Sequence, residues 1–166
     1  MSGAQPTITV KSPSECTKEE LSRFHKIVLD ADEVRAAGLA DRIKRAEVLA
    51  FLEHGNEMIG VGALKRQHPN YTTRIFTNAK ARRAASNYGL ELGWVVVGEA
   101  HRGRKYSLPI VEALVAHAAD KRIYATSAST NEPMHKTLIR YKFERDGDEW
   151  PSTERKNTNL LLFVRN

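Results

Sequence analysis

The run Arg102-Gly103-Arg104-Lys105-Tyr106-Ser107 joins a valine-rich segment ending at Val97 to an apolar-faced stretch opening near Leu108. A turn that feeds a helix N-terminus presents unpaired backbone N–H groups and the positive end of the helix dipole, so it is built to hold phosphate. Arg102, Arg104 and Lys105 add full positive charges at the same spot. Upstream, Glu91 lies eleven residues before Arg102, and Glu99 and His101 precede the turn. All three side chains can carry a proton in catalysis. Metal chemistry finds no matching pattern, because His25, His54, His68, His101, His117 and His135 are scattered without ligand-like spacing. Cys16 is remote from any histidine arrangement suited to nucleophilic catalysis.

These residues need elements to hold them. Thr7–Lys11 alternates as a first strand, and Thr17 with Glu20 forms a capping box that opens a helix through about Leu29. A second helical stretch, Val34–Lys44, is interrupted around Gly38. Ala46–Glu53 and Glu57–Lys65 read as a hairpin about His54-Gly55-Asn56. The segment at about 67–89 is too long for a tight turn, and Asn78 is placed to cap a short helix of its own. Leu90–Val97 is a strand whose alternation puts Glu91, Gly93, Val95 and Val97 on one face. Leu108–Asp120 is a helix with Pro109 in its first turn, Arg122–Ser127 a strand, and Asn131–Arg140 a helix capped by Asn131. A strand from Phe143, a turn at Gly147 and a last strand, Asn159–Arg165, complete a mixed α/β sheet flanked by helices.

The chain's 166 residues suit a single domain spanning 1–166 with a sizeable core. One cysteine excludes an internal disulfide framework. No apolar run reaches the roughly 20 residues that span a bilayer, and the N-terminus lacks a secretion signal, so a cytoplasmic protein is the expectation. The net charge of +6 is unevenly spread. Met58–Leu90 holds no acid but contains Lys65, Arg66, Arg74, Lys80, Arg82 and Arg83. Such a stretch favours anions, whether cofactor phosphates, an acidic acceptor or RNA, or is a solvated basic loop.

The turn, its flanking strand and helix, and the Asn131-to-Phe143 segment together resemble the acyl-CoA-binding half of the Gcn5-related N-acetyltransferase (GNAT) family. The resemblance implies a mostly antiparallel central sheet and acetyl-CoA as co-substrate. The family's pyrophosphate signature is Gln or Arg, two residues, Gly, one residue, then Gly or Ala; Arg102 matches its first position, Lys105 stands at the glycine and Ser107 at the small residue. Either the Lys105 amide still faces the diphosphate while its side chain swings out, or the turn holds coenzyme A weakly or another anion. The resemblance further assigns the backbone of Val95, Val96 and Val97 to the pantetheine arm, with the Val95 amide aimed at the thioester carbonyl. It brings Gly103, Arg104 and Tyr106 to the phosphates, and Asn131 to the arm or simply to capping its helix.

Family members that acetylate histones carry their base at the spacing of Glu91. The usual acid, a tyrosine seven residues after the asparagine, is Leu138 here; Tyr141, three residues on, is the candidate substitute or a core tyrosine. The implied reaction is direct transfer of acetyl to a primary amine in a ternary complex, on a small molecule or peptide. Asp30, Asp32 and Glu33 are placed to attract such an amine. Acetylation of an RNA-borne amine, as on aminoacyl-tRNA, and a non-catalytic domain binding coenzyme A or RNA are the alternatives. No metal and no membrane are implied, and the chain is expected to be a monomer or homodimer.

Overall fold

A computed structural model describes residues 5–31 and 34–166. The elements are β1 (Thr7–Lys11), α1 (Lys18–Asp30), α2 (Leu39–Lys44), β2 (Val48–His54), β3 (Glu57–Arg66), α3 (Pro69–Ala79), β4 (Leu90–Val97), α4 (Ser107–Ala118), β5 (Ile123–Ala128), α5 (Glu132–Arg140), β6 (Glu144–Pro151) and β7 (Asn159–Arg165). The seven strands form one sheet in the order β1-β2-β3-β4-β5-β7-β6. Every neighbouring pair is antiparallel except β4 with β5. No described helix is long and apolar enough to cross a membrane.

Local signals account for most of these elements. The Thr17 hydroxyl accepts the Glu20 N–H at 3.0 Å and the Glu20 carboxylate accepts the Thr17 N–H at 2.8 Å, which satisfies two otherwise orphaned donors of α1. Lys11 also reaches Glu20, at 2.8 Å, and fastens β1 to the same helix end. Gly55, with φ +63°, turns β2 into β3. Alternation then divides the core between the two faces of the sheet. Leu52, Leu64 and Leu92 meet Ile110 and Leu114 of α4 together with Leu138 and Phe143. On the opposite face Phe51 and Val61 pack under Phe24, Val28, Leu39 and Ile43 of α1 and α2.

Three expectations are corrected. The helix α2 is confined to Leu39–Lys44, because Gly38 sits at φ +72° and only starts the helix there. The insertion's helix does not begin at Asn78; it runs over Pro69–Ala79 and ends there. His68 caps it by accepting the Asn70 N–H on Nδ1 at 3.1 Å, and Pro69 fills the first helical position. The stripe Ile75, Phe76 and Ala79 is buried against Tyr124, Leu162 and Val164, so the helix is fixed by packing on β5 and β7. Finally, Gly147 makes no turn between strands. It lies inside β6, at φ +77°, in an irregularity between Asp146 and Trp150.

Lysines occupy three left-handed positions that glycine usually fills: Lys80 (φ +54°), Lys105 (φ +60°) and Lys142 (φ +70°). At the end of α5 the Phe143 N–H donates to the Leu138 carbonyl and the Lys142 N–H to the Ile139 carbonyl, both at 3.0 Å. This is the paired hydrogen-bond pattern in which glycine dominates. The left-handed conformation costs a residue with a Cβ about 1–2 kcal/mol, and glycine gives back roughly 0.5–1 kcal/mol of that in unfolded-chain entropy. Lys142→Gly should therefore raise stability by about 0.5–1 kcal/mol, seen as a melting temperature higher by about 2 °C.

Candidate active site

The parallel pair β4–β5 is joined only at Leu90–Ile123 and Glu91–Tyr124. Beyond these residues β4 continues along β3 while β5 continues along β7, so the two strands part. From Leu92 to Val97 the β4 backbone has no strand partner on that side. Such a parting of parallel strands leaves a crevice at their carboxyl ends, the place where open α/β sheets bind ligands.

A bulge shapes the β4 wall of the crevice. Gly60 pairs with Val97 and Val61 with Val96, but Ala63 pairs with Gly93, so Trp94 and Val95 together stand opposite Gly62. Trp94 absorbs the extra residue at φ +52°. One consequence overturns the simple alternation. Trp94 and Val96 pack with the α1–α2 core, while Val95 and Val97 pack with the α4 core beside Leu90 and Leu92. Glu91 and Gly93 thus share the α1–α2 face with Trp94, not with Val95 and Val97, because the bulge shifts the alternation by one residue.

The turn after β4 leads into the same crevice. The Gly98 N–H donates to the Ile59 carbonyl at 2.8 Å, and Arg102 Nε donates to the Val97 carbonyl at 3.1 Å. These bonds hold the turn against the β3–β4 edge. His101 is tied to Glu57 at 3.2 Å. Gly103, at φ +84°, and Lys105 curl the backbone into the first turn of α4, with Arg104 and Lys105 exposed. Lys105 thus adopts the left-handed backbone of the glycine it replaces, leaving its side chain in solvent. Tyr106 immediately precedes α4 and packs on its core, and Ser107 opens the helix. Across the crevice, Asn131 caps α5 by accepting the Met134 N–H at 3.3 Å.

Glu91 lies at the vertex where β4 and β5 part, and is 3% exposed. Gln67 Nε2 donates to its Oε1 at 2.7 Å and Lys65 Nζ stands 3.2 Å from the same oxygen. Lys65 then runs over Gly93, where an added Cβ would fall 2.9 Å from Lys65 Cδ, and its ammonium caps the Trp94 ring at 4.6 Å. The negative field of Glu91, with burial second, pushes the Tyr71 phenol far above its usual value. Burial first, then Glu91, does the same to Tyr124, whose hydroxyl meets Thr72 Oγ1 at 2.9 Å. Both phenols therefore remain protonated at neutral pH. Sequence reasoning missed Lys65, Gln67, Tyr71 and Trp94 as site residues. The cross-strand position of Lys65 opposite Glu91 was the available signal; the reach of Gln67 and Tyr71 depends on where α3 docks.

Tyr141 is placed differently. Its hydroxyl donates to Glu112 of α4 at 3.3 Å, its carbonyl accepts Arg165 Nε at 3.0 Å, and burial with the neighbouring Glu112 raises its phenol pKa. Leu138 is buried in the α4 core. Asp30 pairs with Lys26 at 2.9 Å, and Asp32 and Glu33 lie outside the described residues. The basic stretch is partly neutralised: Arg66 binds Glu47, Arg83 binds Glu144 at 2.7 Å, and Arg74 lies over the Tyr71 ring at 5.5 Å. No group of three or more His, Cys, Asp or Glu among the described residues is arranged to hold a metal ion.

A central sheet parted between β4 and β5, with a bulge in β4 and a phosphate-type turn feeding α4, defines an acyl-CoA-dependent acyltransferase fold. The acetyltransferase (GNAT) family model matches residues 14–143, and the chain belongs to that family. No functionally curated protein matches it in sequence. Among solved structures, an acyl-CoA N-acyltransferase from Pseudomonas aeruginosa superposes with a TM-score of 0.69 at 13% identity, covering 98% of this chain and 100% of that one. Arabidopsis thaliana NAA60 in complex with acetyl-CoA gives 0.66 at 16% identity, over 95% and 98%. Naa50 of the same plant, in complex with the bisubstrate analogue CoA-Ac-MVNAL, gives 0.68 at 12% identity, over 96% and 98%. At these identities the likeness is one of fold.

Proposed function

We propose that this protein is an acetyl-CoA-dependent N-acetyltransferase acting on a primary amine by direct transfer. The observation that carries the reading is a buried carboxylate, Glu91, at the vertex of a crevice whose other end is a left-handed, arginine-lined turn. Coenzyme A fits this crevice: the turn has backbone curvature for a diphosphate, and the unpaired edge of β4 offers amides and carbonyls to a pantetheine arm. Arg102, Gly103, Arg104, Lys105, Tyr106 and Ser107 would hold the phosphates. The backbone of Val95 to Val97, with Asn131 opposite, would hold the arm. Acetyl-CoA supplies an activated thioester.

The chain's own residues do the rest. Glu91 takes the proton that an incoming ammonium must lose to become nucleophilic. The Val95 amide, beside the bulge, is the donor best placed for a carbonyl that gains negative charge, a contribution typically worth about 3 kcal/mol. Tyr141 has its hydroxyl committed to Glu112, and we assign no proton donor to the leaving thiolate. Pairing of Lys65, Arg66 and Arg83 with carboxylates weakens the case for an RNA-borne acceptor.

Calorimetric titration with acetyl-CoA tests the reading. Binding should be micromolar in the wild type and weaker by at least about tenfold in an Arg102→Ala, Lys105→Ala double variant, since two charged contacts to phosphate are lost. Absence of binding by the wild type would overturn the proposal.

A further inference from the structure

Lys65 occupies an unusual place for a charged side chain. It is 16% exposed, its ammonium is 3.2 Å from Glu91, and the same nitrogen caps Trp94, the first residue of the bulge. The side chain gets there by crossing Gly93, where a Cβ would collide with its Cδ at 2.9 Å. An acceptor amine in the proposed reaction must reach the same two places: the carboxylate that takes its proton, and the stretch of β4 beside the Val95 amide. Lys65 supplies a primary amine paired with that carboxylate and lying over the side chain of Trp94, the residue before Val95.

We propose that Lys65 is an internal acetyl acceptor, a self-modification site of this enzyme. The inference rests on the acetyltransferase reading above. In the step, the Lys65 ammonium gives one proton to Glu91, and the neutral Nζ attacks the carbonyl carbon of acetyl-CoA. The C–N bond forms and the C–S bond breaks. The second proton lost by Nζ goes to the departing thiolate, giving coenzyme A as the thiol, and Glu91 later returns its proton to solvent. Acetylation removes the ammonium from beside Glu91 and leaves Gln67 on that carboxylate at 2.7 Å, so the modified site carries one positive charge less than the unmodified one.

The contrasting lysine is Lys26, which lies 2.9 Å from a carboxylate of Asp30 but is 76% exposed on α1, away from the crevice. Burial and the contact with Trp94 of β4, not pairing with a carboxylate, separate the two. The experiment is peptide mapping by mass spectrometry of the full chain after timed incubation with acetyl-CoA, alongside calorimetry of the same sample. Lys65 should gain one acetyl group at least about tenfold faster than Lys26. Its rate should saturate at the calorimetric dissociation constant, be independent of protein concentration, and fall to the Lys26 rate in Glu91→Gln. If acetyl-CoA binds but Lys65 is labelled no faster than Lys26, the inference is overturned and the acetyltransferase reading stands. If acetyl-CoA does not bind, both fall. Labelling of Lys65 that rises linearly with acetyl-CoA and survives Glu91→Gln would be unassisted chemical acetylation, and also overturns the inference.

Discussion

Glu91→Gln should lower kcat by about 100-fold or more while leaving the affinity for acetyl-CoA within about twofold of the wild type. Loss of a positioned base typically costs a factor of roughly 10²–10⁴. The binding turn lies at the far end of β4 from Glu91, so it should not register the change. Glutamine keeps the side chain's length and can still accept from Gln67 and Lys65, which limits the structural damage. The decisive readout is the pH dependence. A missing base matters less as the acceptor amine loses its proton unaided, so the deficit should shrink as pH rises toward about 10, the usual lysine-type value. A deficit constant across pH would assign Glu91 a purely structural role.

The largest stability loss should come from Gly147→Ala. A Cβ at that position would lie 2.0 Å from the Ala79 carbonyl oxygen and 3.2 Å from the Lys80 carbonyl carbon, both backbone atoms that cannot swing aside. The left-handed φ of +77° adds its own strain. About 1–2 kcal/mol for the conformation and 1–3 kcal/mol for overpacking sum to about 2–5 kcal/mol. For a chain of this size that corresponds to a melting temperature lower by roughly 4–20 °C. The contact joins the end of α3 to β6, and neighbouring bonds reinforce it: Asp146 accepts the backbone N–H groups of Arg82 at 2.9 Å and Arg83 at 3.2 Å. Because α3 also carries Tyr71 and Thr72, the variant should lose activity below its melting point as well. Equal melting of wild type and variant would show that β6 yields at no cost.

Much of this was readable from the sequence because its causes are local. The Thr17–Glu20 capping box, the Gly55 turn and the Asn131 cap each depend on residues within a few positions of one another, and all three are present. What escaped had causes elsewhere in the chain. Nothing in LELGWVVV marks the extra residue at Trp94, because a bulge is a property of two paired strands and requires Gly62 opposite. Gly147 resembles a turn when read alone; its reason is the backbone at Ala79. The helix α3 escaped as well, although Pro69 and the spacing of Ile75, Phe76 and Ala79 were signals in the sequence. The surroundings of Glu91 were the least legible. They draw on Lys65, Gln67, Tyr71 and Tyr124, which the β3–β4–β5 order and the docking of α3 bring together.

The bulge also gives β4 two phases. Before it, odd-numbered residues look toward α1 and α2; after it, even-numbered ones do. Under the proposed function, a substitution at Glu91 or Gly93 would therefore alter the acceptor's surroundings without disturbing the α4 core, and one at Val95 or Val97 would do the reverse. On that reading, acceptor choice and cofactor grip would be free to drift separately along a single strand. Removing one residue between Gly93 and Val95 would restore a single phase and exchange the two sets of side chains. Neutral variation should accordingly favour point changes on either side of Trp94 and tolerate no change of length there.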